Sequence, residues 1–445
     1  MAMPETMPGG DGHDAATPAP SFAEAFAVWA KIGLLSFGGP AGQIALMHRE
    51  IVETRAWVSE RRFLNALNFC MLLPGPEAQQ LATFLGFVLN GTRGGIAAGA
   101  LFVLPGFVVI TGLSALYAPF HETHWLEALF FGLKAAVVAI VIEAVIKLGR
   151  RALKRRLMMA IAALAFLGIF AFGVPFPAIV VLAGLAGFLA SRGHDGDMRR
   201  AEAPDDRLRR HRPWRVAISW ILVWIAPIGV AAVLFGPAST IATLGVFFFK
   251  TALTTFGGAY AVLGYVAQVA VEPFHWLRPG EMLDGLALAE TTPGPLLIVL
   301  SFVGFQAGFH AEAGVSGMAG GLLGALMVAW VTFVPSFLWI FLGAPYVDAL
   351  RDRPRLDGAL TAITAAVVGV ILTLAVWFAL HTLFADVGRW QFGPISLPLP
   401  QWASLDPAAA ALSVLALACV FRWRLDMPAT LVIVGALGWA TRTFG

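Results

Sequence analysis

The sequence predicts an all-α polytopic membrane protein made of two inverted-topology repeats whose helices are broken or re-entrant. Three observations carry that prediction. Apolar residues make up 58% of the 445 and charged residues only 13%, more apolar surface than a soluble core can absorb while keeping polar cover. The chain repeats itself, motif by motif and in the same order. Equivalent loops of the two copies carry opposite Lys/Arg bias, and that bias sets orientation in a membrane.

Taken in order, residues 1–20 are rich in Pro, Gly, Ala and Asp and hold no Lys or Arg. They lack the basic start of a secretory signal and read as a disordered N-terminal tail. The first repeat covers residues 21–191, and an Arg- and Asp-rich linker, expected to be cytoplasmic, covers 192–215. One apolar span, 216–236, has no partner in the first copy and reads as a connecting transmembrane helix. The second repeat is residues 237–445. Lys31 to Gly39 has its counterpart in Lys250 to Gly258, Trp57 in Trp276, and Pro74-Gly75-Pro76 in Pro293-Gly294-Pro295. Phe84 and Phe87 then match Phe302 and Phe305, Ala135 to Val138 match Ala365 to Val368, and Pro177-Ala178 match Pro428-Ala429.

The connecting span supplies the one extra crossing that inverts the second copy. Lys147, Arg150, Arg151, Lys154, Arg155 and Arg156 place their loop inside, as the linker arginines place the linker. Between them, residues 157–190 read as a helical hairpin turning at Gly173 to Pro177. Residues 118–125 carry no Lys or Arg, whereas their counterpart 348–357 carries Arg351, Arg353 and Arg355. The loop 49–62 holds four Arg, and its counterpart 271–284 holds one Arg and three carboxylates. Full crossings at the Phe-Gly-Gly and Pro-Gly-Pro segments would put that Arg-rich loop outside. Re-entrant segments let every loop obey the rule, and they are the expected arrangement.

The breaks are the candidate site. Phe37-Gly38-Gly39-Pro40, Pro74-Gly75-Pro76, Phe256-Gly257-Gly258 and Thr292-Pro293-Gly294-Pro295 interrupt apolar segments, where Gly and Pro free backbone N–H groups at the start of the next helix. A lone break of this kind reads as a kink at a packing contact. Two symmetric pairs can instead aim four helix N-termini at one midplane site, which favours an anion. Lys31 and Lys250 occupy matching places in apolar helices, as counter-charges for an oxyanion or as lysines snorkelling from a helix end. Lys134, with Glu127 and Glu143 on the same run, either joins a site or pairs with neighbours.

Glu77 follows Pro76, with Gln79 and Gln80 in the same turn. The helix dipole favours its anion and burial its neutral form, so it reads either as a structural cap or as a proton-coupling acid. The second copy has Leu296 there but Glu290 three residues before its Pro, a second proton-coupling candidate. No catalytic or metal-binding residues are expected. Cys70 and Cys419 form no C-x-x-C pair, and the chain has no Walker loop, dinucleotide fingerprint or haem motif, so ATP drive, redox enzymology and a cofactor are not expected. With no packed basic soluble face, nucleic acid is not an expected partner; the lipid bilayer is.

These paired motifs, with Arg49-Glu50 and the Trp57 loop, resemble the chromate ion transporter family over residues 21–443. The resemblance implies a bacterial inner-membrane protein of the long two-domain form that exports chromate and confers resistance to it, with sulfate, a near-isosteric dianion, meeting the same site. Proton-motive drive is the expected energy source, and a homodimer is the assembly considered. The alternatives are a transporter of sulfate or another tetrahedral oxyanion, and a passive anion channel. Ala259 in place of Pro40, and Leu296 in place of Glu77, depart from strict equivalence of the copies.

Overall fold

Backbone amides buried in hydrocarbon must be satisfied within the chain, and this protein meets the requirement almost wholly with helices. The computed structural model describes residues 20–37, 39–121, 123–191, 213–255, 259–344 and 354–444. The tail, most of the linker, Gly38, Phe256, Gly257, Gly258, Arg351 and Arg353 lie outside the described residues. The described part of the first copy comprises α1 (Phe22–Leu35), α2 (Gly39–His48, prolonged by a π turn Arg49–Glu53), α3 (Glu60–Cys70), α4 (Glu77–Phe120), α5 (His124–Ala152), α6 (Arg156–Phe170) and α7 (Phe176–Ala190). Helix α8 covers Pro213–Phe235. Then follow α9 (Thr240–Leu253), α10 (Ala259–Val271), α11 (Pro279–Thr291), a 3-10 turn Leu296–Ile298 leading into α12 (Val299–Phe309), α13 (Gly317–Gly343) and α14 (Pro354–Leu383). A hairpin of β1 (Val387–Phe392) and β2 (Ile395–Pro400) precedes α15 (Pro407–Leu417) and α16 (Met427–Phe444).

Five helices among the described residues are long and apolar enough to cross a membrane: α4, α5, α8, α13 and the Gly358–Leu383 part of α14. Their outer faces stay apolar where a soluble protein would turn polar, as with Leu222, Val233 and Leu234 on α8. The chain is thus a multi-pass α-helical membrane protein. Helix α8 is fixed to α13 by a reciprocal pair of indole bonds, Trp224 Nε1 to the Val331 carbonyl at 2.8 Å and Trp330 Nε1 to the Val223 carbonyl at 2.9 Å.

Around the breaks the helices are short. At 14 residues, α1 spans about 21 Å, less than the roughly 30 Å hydrocarbon core. Each break reverses the chain. Lys31 Nζ reaches Glu50 Oε1 at 2.8 Å across 19 residues, which a continuous helix would hold roughly 28 Å apart. Phe247 of α9 meets Tyr265 of α10 with ring centroids 5.7 Å apart, and Phe69 of α3 meets Phe84 of α4 at 6.0 Å. Phe302 of α12 lies against Gly285 of α11. The 44 residues of α4 are themselves two antiparallel arms, because Gly91, at φ 63 and ψ −157, turns residues 77–89 back onto residues 92–120. Gly86 and Gly94 meet there so closely that a methyl on Gly86 would stand 2.5 Å from the Gly94 carbonyl oxygen. In the second copy α12 folds back onto α13 through the same kind of contact, Gly304 on Gly324.

Two ends of the bundle are joined by the longer arm of α4. At the end where that arm begins, Asn90 Nδ2 donates to the Pro20 carbonyl at 2.9 Å, just before α1. At the far end His121 lies 3.7 Å from Glu281 in the first turn of α11, and the Thr240 N–H at the start of α9 donates to the Ala313 carbonyl at 3.2 Å. The β-hairpin belongs to this far end. Its Ser396 N–H donates to the Ala171 carbonyl in the α6–α7 turn at 2.8 Å, and its Arg389 pairs with Glu272. It is a strand element that the helix-dominated reading did not anticipate.

Candidate functional site

The four breaks converge, and they do so reciprocally between the copies. The Gly75 N–H donates to the Thr255 carbonyl at 2.8 Å, and the Gly294 N–H donates to the Ser36 carbonyl at 2.8 Å. Ser36 and Thr255 are equivalent positions, each just before its Phe, and Gly75 and Gly294 are the middle residues of the two Pro-Gly-Pro motifs. Both glycines take positive φ, 122 and 95, which an L side chain rarely adopts. Each also packs on the other copy's long helix. Gly294 sits against Gly106, where an added methyl would stand 2.2 Å from the Pro293 carbonyl oxygen, and Gly75 faces Ser336 of α13.

A small cavity of about 30 Å³ lies at this convergence, lined by Pro40, Gln43, Gly75, Pro76, Glu77, Ala78, Ala259, Pro295, Leu296 and Leu297. Those residues include the first turns of α2, α4, α10 and the 3-10 turn that opens α12. Four helix N-termini therefore border one cavity, each with first-turn N–H groups that no carbonyl of its own helix can satisfy and with partial positive charge. The cavity has room for a water or two. Among the described residues Glu77 is the single ionisable group in its lining, at the start of α4 after the N-cap Pro76.

Three glutamines brace the convergence. Gln43 Nε2 donates to the Gly294 carbonyl at 2.6 Å and to the Ser36 carbonyl at 3.3 Å, so it ties α2 to the opposite copy's break. Gln80 Nε2 donates to the Pro74 carbonyl at 2.8 Å, and Gln79 Nε2 to the Phe333 carbonyl of α13 at 3.2 Å. The Oε1 atoms of all three have no hydrogen-bond partner among the described residues. Gln43 escaped sequence reasoning, although an amide one turn into a helix that opens on Gly-Gly-Pro was the available signal.

The other expected residues are distributed as follows. Gly39, at φ 72, starts α2. Phe37 is 42% exposed beside its break. Thr292 caps the end of α11, its hydroxyl donating to the Ala289 carbonyl at 2.9 Å. Glu290 is buried and accepts from Tyr260 Oη at 2.9 Å, joining the two breaks of the second copy. Lys31 is half exposed and bound to Glu50, which also holds Arg55 at 2.7 Å. Lys250 is exposed on α9. Neither lysine lines the cavity. Gly38, Phe256, Gly257 and Gly258 lie outside the described residues.

Comparison with known proteins adds an independent line. The chain is 35% identical over 365 residues to the chromate transport protein of Pseudomonas aeruginosa, covering 80% of this chain and 81% of that one. It is 29% identical to the chromate transport protein of Cupriavidus metallidurans over 84% of this chain and 86% of that one. A probable chromate transport protein of Synechococcus elongatus is 28% identical over 86% and 93%. No solved structure matches the chain. The chromate transporter family matches residues 23–188 and again 242–439, spanning both sets of breaks, and the chain belongs to that family.

Proposed function

We propose that this protein is a secondary transporter of the bacterial inner membrane that exports chromate, driven by the proton-motive force, and so confers chromate resistance. The observation that carries the reading is the meeting of four helix N-termini at one cavity, since that arrangement selects an anion and needs no fixed cation. The names of the relatives supply chromate as the anion. Two inverted repeats, residues 21–191 and 237–445 joined by the 216–236 helix, are the architecture we assign. Its support is the reciprocal pairing of equivalent backbone groups at the breaks, and the start of equivalent hairpins at opposite ends of the bundle. Such a scaffold can expose one central site to each side in turn.

The energy source follows from charge. A dianion leaving a cell that is negative inside gains roughly 4.6 kcal/mol per 100 mV, so the electrical part of the proton-motive force pulls chromate outward. Everted membrane vesicles given labelled chromate test the proposal. Energised vesicles should accumulate the label, a protonophore should abolish accumulation, and unlabelled chromate inside should accelerate entry. Accumulation without that acceleration would favour a passive channel over a carrier. Competition by unlabelled sulfate reads how far the site distinguishes the two dianions.

A further inference from the structure

A second group of ionisable side chains lies away from the breaks, at the end of the bundle where α4 gives way to α5. Asp284 of α11 is 4% exposed, accepts a hydrogen bond from Tyr117 Oη at 2.8 Å, and lies 3.4 Å from Lys134 Nζ. One turn earlier Glu281 lies 3.7 Å from His121 Nε2. The Tyr117 and His121 rings stack at 5.6 Å, and His310 stands edge-on to His121 at 6.1 Å. Lys134 leans over the first turn of α11, where a methyl on Gly280 would come within 2.9 Å of its Nζ. An ion pair from α5 and a histidine–carboxylate contact from the end of α4 thus hold the entering arm of the second Pro-Gly-Pro hairpin, the arm that ends at Glu290 and Thr292.

The equivalent arm of the first copy is built otherwise. Arg62 stands where α11 has Glu281, Asn65 where it has Asp284, and Thr364 where α5 has Lys134. A buried ion pair is a costly way to hold two helices together, and apolar residues of similar size often do so at least as well. A duplicated scaffold that ties this arm to the other copy's long helix with an ion pair in one copy, and has Asn65 and Thr364 at the equivalent places, has a device that acts on one face.

We propose that Asp284 is a proton-binding site at the extracytoplasmic end, and that its pairing with Lys134 latches α11, the arm that leads to the second Pro-Gly-Pro break, until a proton arrives from that side. The orientation used here rests on the inverted arrangement proposed above. The proton passes from outside water, by way of His121 and Glu281, to an Asp284 carboxylate oxygen. Lys134 keeps its own protons and loses its counter-charge, so α11 loses its ionic tie to α5. Among the described residues, the titratable and charged groups facing Asp284 are Lys134 from α5, Tyr117 of α4 and His121 at its end, and Glu281 and Arg278 from its own segment. His310, at the end of α12, lies beyond His121. Arg442 of α16, which also touches α11, is engaged by Asp406 at 2.7 Å.

The test uses the full chain with Cys70→Ser and Cys419→Ser, and Thr292→Cys as reporter. Sealed right-side-out vesicles receive a membrane-impermeant maleimide from outside across a range of external pH, with rates normalised to an exposed thiol to remove intrinsic thiolate titration. The parent should label faster as external pH falls. Asp284→Asn and Lys134→Met should each label fast at every pH, with the pH dependence lost. A parent profile retained in Asp284→Asn overturns the latch, and Lys134→Met gives the same reading should the Asn variant fail to accumulate. Labelling from the cytoplasmic side alone overturns the assigned end. No chromate enters the assay, so its outcome is separate from that of the export experiment.

Discussion

At the scale of single residues, the convergence depends on positions where nothing larger than hydrogen fits. Gly106 and the Pro293 carbonyl meet at backbone distance, so an added methyl must displace one of them. Overpacking of this kind costs about 1–3 kcal/mol. Gly106→Ala is expected to lower the melting temperature of the purified protein and to impair chromate export, whereas Gly112→Ala, with nothing within 4 Å, should leave both near wild type. Equal behaviour of the two variants would remove the contact from the account. Glu77 poses a chemical question at the same scale. Ionised, it occupies the positive focus of the helix N-termini and repels an arriving dianion; protonated, it can donate a hydrogen bond to one. Glu77→Gln fixes the second state, so counterflow exchange of chromate should persist while the dependence of export on pH is lost. An unchanged pH profile would transfer the proton role to Glu290, which already shares a hydrogen bond with Tyr260.

At the scale of elements, the breaks were legible because they gather Gly and Pro into clusters, whereas Pro227 and Pro335, without such a cluster, are carried inside α8 and α13. Their closure into reversals was legible only through the loop charges, since no local propensity says how far a chain turns after a break. The 44-residue apolar run from Glu77 to Phe120 shows the limit. Nothing in its overall composition marks the reversal, which the chain makes at Asn90 and Gly91. The β-hairpin was missed because its strands carry Trp, Phe, Ile and Leu, which look the same in a count of apolar residues. The loop between α2 and α3 is fastened by His48, bonded to Glu53 at 3.1 Å and Glu60 at 2.5 Å. The Glu60 carboxylate, with Glu53, raises the His48 pKa above its ordinary 6.5, outweighing the partial burial of the ring. A raised histidine pKa stabilises the folded form fully below pH 6.5, and that contribution fades as pH rises through the folded-state value. Both glutamates are more than half exposed, so the effect is small. Limited proteolysis of the loop should therefore quicken above pH 6.5 in the wild type, and His48→Gln should make the rate independent of pH over the same range.

At the scale of the whole molecule, the question is whether two like sequences face opposite ways. The α2–α3 and α10–α11 loops offer matched probes, because the same turn recurs in both. Ala56 and His275 take left-handed φ values of 49 and 51 at equivalent places. The next residue closes each turn identically, with Trp57 N–H to the Ile51 carbonyl at 2.9 Å and Trp276 N–H to the Ala270 carbonyl at 2.8 Å. Local structure is thus held constant while the surrounding charge changes, with four Arg in one loop and one in the other. Ala56 and His275 are exposed, and the two native cysteines are buried. Single cysteines at these two positions should react with an impermeant reagent from opposite sides, Ala56→Cys from the cytoplasm and His275→Cys from outside. Because the loops share one conformation, a difference in labelling side can only come from their placement across the bilayer. Reaction of both from the same side would make the copies parallel, and the reciprocal bonds at the breaks would then need an axis along the membrane normal instead of within its plane.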